Sequence, residues 1–161
     1  MTHPFPERHT LTALVDNEAG VLARVVGLFS GRGYNIESLT VAEVDPDERT
    51  SRITIVTSGS PDVIEQIEAQ LRRIVPVHAV TNWTFASGGI EREMALVKVA
   101  AKNSKKARES AETFGAHMLE GSGSVFELTD TPAQISRFIE AMRVLGLYDV
   151  SRTGVAAISG D

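Results

Sequence analysis

The chain has 161 residues, no cysteine, 42% hydrophobic and 23% charged residues, and a net charge of −5. That length admits one medium domain or two small ones, and the missing thiols exclude disulfides, thiolate catalysis and cysteine-based zinc sites, as suits a reducing cytosol. The acidic balance and scattered basic residues argue against a nucleic-acid partner, and no apolar run approaches the roughly 20 residues of a membrane span.

The first segment, HTLTALVD (9–16), is apolar and β-branched and reads as a strand. From Gly20 the residues Val21, Leu22, Val25, Val26, Leu28 and Phe29 recur at helical spacing, with Gly31 and Gly33 as stop signals. A strand follows over 35–44, a polar turn over 45–50, and a second strand around Arg52–Thr57. Ser60-Pro61 offers an N-cap followed by proline at the first helical position, where its missing N–H costs nothing. Ile64, Ile67, Leu71 and Ile74 form the apolar stripe of that helix, and Val77, Ala79, Thr81, Trp83 and Phe85 share one face of the next strand.

This βαββαβ order then repeats. MALVKVAA (94–101) reads as a strand and Ser104–Phe114 as a helix, and HMLEG and SVFELTD flank Gly121-Ser122-Gly123 as a hairpin. Thr131-Pro132-Ala133-Gln134 has the form of a capping box, with Ile135, Phe138, Ile139, Met142 and Leu145 as the stripe behind it. Gly146 stops that helix, and LYDVSRTGVAAI closes the repeat as a strand. The expected fold is therefore α+β, two tandem ferredoxin-like βαββαβ domains over 8–86 and 92–159, joined by a linker over 86–93. A sheet with one covered face and free edges tends to recruit a partner, so oligomerisation is expected.

Catalytic constellations are missing from the sequence. The four histidines (His3, His9, His78 and His117) form no i, i+4 pair, and no nucleophile elbow is present. The glycine-rich GRGYN (31–35) and GSGSV (121–125) lack the Lys-Ser/Thr of a phosphate loop. No catalytic residue, metal ligand or cofactor site is expected.

One stretch retains chemical interest. Asp16-Asn17-Glu18-Ala19-Gly20 ends a strand and opens a helix. A helix N-terminus presents unpaired N–H groups and a partial positive charge, which favour a carboxylate. Gly20 would let a ligand approach the backbone, and Asn17 could cap the helix or both donate to and accept from a zwitterion. The same residues also suit a plain helix entry, and local chemistry leaves both readings open.

Around this stretch, Asp16-x-x-x-Gly20-x-Leu22, the run Leu28-Phe29-Ser30, and Arg32-Gly33-Tyr34-Asn35-Ile36-Glu37-Ser38-Leu39 resemble the small regulatory subunit of acetohydroxyacid synthase, also called acetolactate synthase. SRITI (51–55), IEQIEAQLRRIV (64–75), EREMALVKV (91–99) and SRTGV (151–155) extend the resemblance over about residues 9–158, with looser matches at 82–89 and 117–130. It implies an N-terminal ACT domain, an ACT-like C-terminal domain and no active site of the chain's own. It further implies a large catalytic subunit as partner, carrying thiamine diphosphate, Mg2+ and FAD. The implied role is to activate that subunit and make it sensitive to valine or another branched-chain amino acid. The effector would lie at a homodimer interface between ACT domains, with Asn17, Gly20, Val21 and Leu22 on one side and Asn35 and Ile36 on the other. Apolar surface would come from Val21, Leu22 and Ile36, with core packing as the other reading of some of them and an equal reading of Ile36. The alternative is a free-standing ACT-domain amino-acid sensor serving another enzyme or regulator. An acylphosphatase-like enzyme would need an anion cradle with a catalytic arginine and asparagine on one loop, which the sequence does not offer in a matching context.

Overall fold

The computed structural model describes residues 7–84, 88–121 and 123–160. Phe85, Ser122 and residues 86–87 of the expected linker lie outside them. The chain divides into two compact units: the first ends at Ile90 and resumes at Val155, and the second is Glu91–Gly154.

The first unit contains β1 (Glu7–Asp16), α1 (Val21–Arg32), β2 (Ser38–Asp45), β3 (Thr50–Gly59), α2 (Pro61–Leu71) and β4 (Val77–Asn82). Its sheet has the order β2-β3-β1-β4, and every ladder is antiparallel. The period-2 alternation of β1 sends Leu11, Ala13 and Val15 into the core, where they meet Ile53 and Ile55 of β3. Val21, Val25 and Phe29 of α1, and Ile64, Ile67 and Leu71 of α2, complete this core. Fully burying side chains of this size is worth about 1.5–3 kcal/mol each before the entropy of ordering is subtracted.

Helix α1 runs through Gly31 and stops only at Gly33, whose φ of 69° places it in the left-handed region. There Gly33 N–H donates to Ser30 O and Tyr34 N–H to Phe29 O, a Schellman closure. Gly31 has no such turn to make, so the periodic stripe carries the helix past it. The strand expected from residue 35 begins only at Ser38, which leaves Asn35–Glu37 as connecting chain.

The second unit repeats this plan with β5 (Gly89–Val99), α3 (Ser104–Thr113), β6 (His117–Met118), β7 (Val125–Asp130), α4 (Pro132–Arg143) and β8 (Leu147–Arg152). The order β6-β7-β5-β8 reproduces that of the first sheet. Ala95, Val97 and Val99 pack with Phe126 and Leu128, under Ala107 and Ala111 of α3 and Ile135, Phe138, Ile139 and Met142 of α4. At α4, the Thr131 hydroxyl accepts from Gln134 N–H at 3.4 Å. The reciprocal half of the capping box is not made: Thr131 N–H donates to Asp130 instead, and the Gln134 side chain accepts from Arg137. Within this sheet Arg152 grips the buried Glu93 carboxylate with two bonds of 2.7 Å.

Two boundaries differ from the sequence expectation. β5 starts at Gly89, inside the expected linker. The expected closing strand is broken after Arg152, with Gly154 at φ 82°, and a separate strand β9 (Ala156–Ser159) pairs with β5. Further bonds hold this last segment. Val155 N–H donates to Ser38 Oγ at 3.3 Å, Arg52 donates to Ala157 O at 3.1 Å, and Gly160 N–H donates to Gly88 O at 2.8 Å.

Candidate functional site

The turn between β1 and α1 is stitched to chain on two sides. On one side it meets the β2–β3 hairpin: Asn17 N–H donates to Arg49 O at 2.7 Å, and the Asn17 side-chain amide donates to Glu43 Oε1 at 3.0 Å. On the other it meets the connection into β4. Asp16 N–H donates to Pro76 O at 3.2 Å, the Asp16 carboxylate contacts the His78 ring, and Arg24 donates to Val75 O. The turn is therefore held in place from both ends of the polypeptide that flanks it.

Gly20 is the N-cap of α1, with φ 89° and ψ −10°. This left-handed conformation, rather than lack of space, is what calls for glycine, since an added Cβ would come no closer than 3.9 Å to an atom of Arg24. No side chain caps the helix and no acidic residue lies in its first turn. Its N-terminal positive charge is therefore offset by no side chain of its own first turn, although the Val21 N–H donates to Glu18 O at 3.5 Å. Asn17 does not cap it, because its amide is turned to Glu43.

The six residues expected to bind an effector fall into distinct environments. Asn17, Gly20 and Asn35 are exposed. Leu22 is 39% exposed, whereas Val21 is 2% exposed and belongs to the core. Val21 thus takes the core-facing alternative, and its backbone N–H lies on the turn, where it donates to Glu18 O at 3.5 Å. Ile36 is half-buried against the same core. The Asn35 carbonyl accepts from the Thr57 hydroxyl at 2.6 Å, which fixes the backbone and leaves the side chain at the surface.

Glu43 escaped the sequence reading, as did the contact between Asp16 and His78. Asn17 and Glu43 are 26 positions apart, and no local spacing signals such a contact. A shallow groove of about 330 Å3 lined by Arg72, Val77, His78, Ala79 and Val80 lies along β4, and none of the six expected residues lines it. Among the described residues no group of three His, Cys, Asp or Glu could hold a metal ion, and no helix is long and apolar enough to cross a membrane.

The two halves each match a family model. Residues 11–79 match the ACT domain of the acetohydroxyacid synthase small-subunit type, and residues 92–161 match the small subunit of acetolactate synthase. The chain belongs to the acetolactate synthase small-subunit family. It is 40% identical over 159 residues to the probable acetolactate synthase small subunit of Archaeoglobus fulgidus, covering 96% of this chain and 98% of that one. It is also 40% identical over 158 residues to the acetolactate synthase isozyme 3 small subunit of Escherichia coli, covering 94% and 95%. The crystal structure of the acetolactate synthase small subunit from Thermotoga maritima is similar with a TM-score of 0.82 at 32% identity, covering 95% of this chain and 97% of that one. The two ferredoxin-like units are accordingly an ACT domain and its C-terminal companion.

Proposed function

We propose that this small subunit is a non-catalytic regulator: it activates the large, thiamine-diphosphate-dependent subunit of acetolactate synthase and brings it under feedback by a branched-chain amino acid, valine foremost. The observation that carries the effector part is the uncapped start of α1 at Gly20 beside the exposed Asn17. Backbone N–H groups around Gly20–Leu22 receive the effector carboxylate, and Asn17 orients its other polar groups. Asn35 and Ile36 of a second copy complete the pocket. The open edge of β2, where Val41 is 43% and Val44 50% exposed, supports pairing of two ACT domains there. The thiamine diphosphate, Mg2+ and FAD of the reaction belong to the catalytic partner.

Control follows from linkage. A ligand bridging two protomers biases the catalytic subunit only by its differential affinity for two arrangements, and a coupling of about 1–3 kcal/mol gives several-fold to hundredfold control. The apolar contacts discriminate weakly among valine, leucine and isoleucine, since one methylene is worth about 1–3 kcal/mol. The match of residues 92–161 to the small-subunit model favours this reading over a free-standing ACT sensor. The test is to mix the purified chain with its large subunit and assay acetolactate formation with and without valine. A rise in activity on mixing, reversed by valine, is expected; no rise would refute the regulatory role.

A further inference from the structure

An α-amino acid brings an ammonium group along with its carboxylate. At the start of α1 the carboxylate is welcome, but a cation beside the positive end of a helix needs an offsetting negative charge. Most carboxylates around the turn are already engaged. Asp16 contacts His78, Asp45 accepts the N–H groups of Asp47 and Glu48 at 3.1 and 3.0 Å, and Glu37 accepts from Ser58. Glu43 is engaged too, but by the effector-site residue itself: its carboxylate accepts from the Asn17 side-chain amide at 3.0 Å, and both residues are exposed. We infer that Glu43 supplies the counter-charge for the effector's ammonium group, held in readiness by its bond to Asn17. The inference rests on the effector reading proposed above.

Two features support it. With Nδ2 of Asn17 donating to Glu43, Oδ1 of Asn17 and the Glu43 carboxylate stand together as acceptors, the arrangement an ammonium with three donors requires. Symmetry supplies the second. Glu43 lies near the end of β2, and Asn35 three residues before its start at Ser38. Antiparallel pairing of two β2 edges about a two-fold axis sets the start of one strand beside the end of the other. The copy that contributes Asn35 to a composite pocket therefore meets the Asn17–Glu43 pair of its partner. Glu18 is the competing carboxylate on the turn itself, and it serves as the control.

The experiment is calorimetry on the full chain with L-valine and with 3-methylbutanoate, which is valine without its ammonium group, with light scattering to report the dimer. Glu43→Gln is expected to weaken L-valine by about ten- to hundredfold, as befits a lost charge-assisted bond, while leaving 3-methylbutanoate binding and the dimer unchanged. Glu43→Asp, which keeps the charge, recovers part of the loss, and Glu18→Gln stays within twofold of the unaltered protein. L-valine binding by Glu43→Gln within twofold of the unaltered protein overturns the inference. So do equal losses for both ligands, loss of the dimer in Glu43→Gln, or a loss that falls on Glu18→Gln instead. If the unaltered chain binds none of L-valine, L-leucine and L-isoleucine, the effector reading itself falls and the inference falls with it.

Discussion

Tyr34 sets its ring edge-on against Phe29, with centroids 6.3 Å apart and planes at 81°. The two residues are also joined by the Tyr34 N–H to Phe29 O bond that closes α1 around Gly33. Side-chain contact and backbone closure thus act together to deliver the chain into Asn35 and Ile36 at a defined angle.

Gly33→Ala tests that closure. Space is open around a Cβ there, so the cost is conformational, about 1–2 kcal/mol for an L-residue held left-handed. Thermal unfolding should show a midpoint a few degrees lower. An unchanged midpoint would mean that the helix end relaxes into another turn.

Gly20→Asp has a different expected outcome. Arg24 leaves room for the Cβ, and Asp tolerates positive φ better than most residues. The protein should fold and still activate the large subunit, while its own carboxylate occupies the anion site and valine inhibition disappears. Normal valine binding by calorimetry in Gly20→Asp would remove the anion-site assignment.

Asn35→Ala separates the side chain from the backbone at the same residue. The Thr57 hydroxyl bonds the Asn35 carbonyl, which alanine keeps, so folding and dimerisation should persist while effector affinity falls. Thr57→Val removes that bond directly and should cost about 1 kcal/mol of stability. Loss of the dimer in Asn35→Ala, measured by light scattering, would make the side chain structural.

Glu93 is 4% exposed and takes both of its bonds of 2.7 Å from Arg152. The neighbouring carboxylate raises the Arg152 pKa, chiefly through that hydrogen bonding. Arg152→Met leaves the carboxylate buried and unpaired, and should destabilise the C-terminal unit by about 3 kcal/mol in denaturant unfolding. The double variant Glu93→Leu/Arg152→Met should regain most of that loss. If it does not, the pair contributes through packing rather than charge.

Arg52 should control the last segment of the chain. With its bond to Ala157 O removed in Arg52→Ala, amide exchange over Ala156–Gly160 should accelerate by an order of magnitude or more while the β1–β3 ladder stays protected. Unchanged exchange would leave the Ser38 and Gly88 bonds as sufficient anchors.

The sequence by itself determined the two βαββαβ repeats, the helical stripes such as Val25–Phe29 and Ile64–Ile67–Leu71, the proline-led starts of α2 and α4, and the importance of the Asn17–Gly20 turn. These are local properties: periodicity, capping chemistry and backbone freedom act over a few residues and leave a readable pattern. Val21 and Leu22 mark where that reading ends. They are neighbours in chemistry and position, yet one is in the core and the other at the surface, because about 100° of helical rotation separates them and only the packed sheet decides which faces in. Tertiary structure likewise decided that Asn17 bonds Glu43 instead of capping α1, and that β9 is a strand of its own paired with β5. Those contacts join residues distant in sequence, 26 positions apart for Asn17 and Glu43, and their partners are chosen by the sheet order that brings distant chain together, not by any spacing along it.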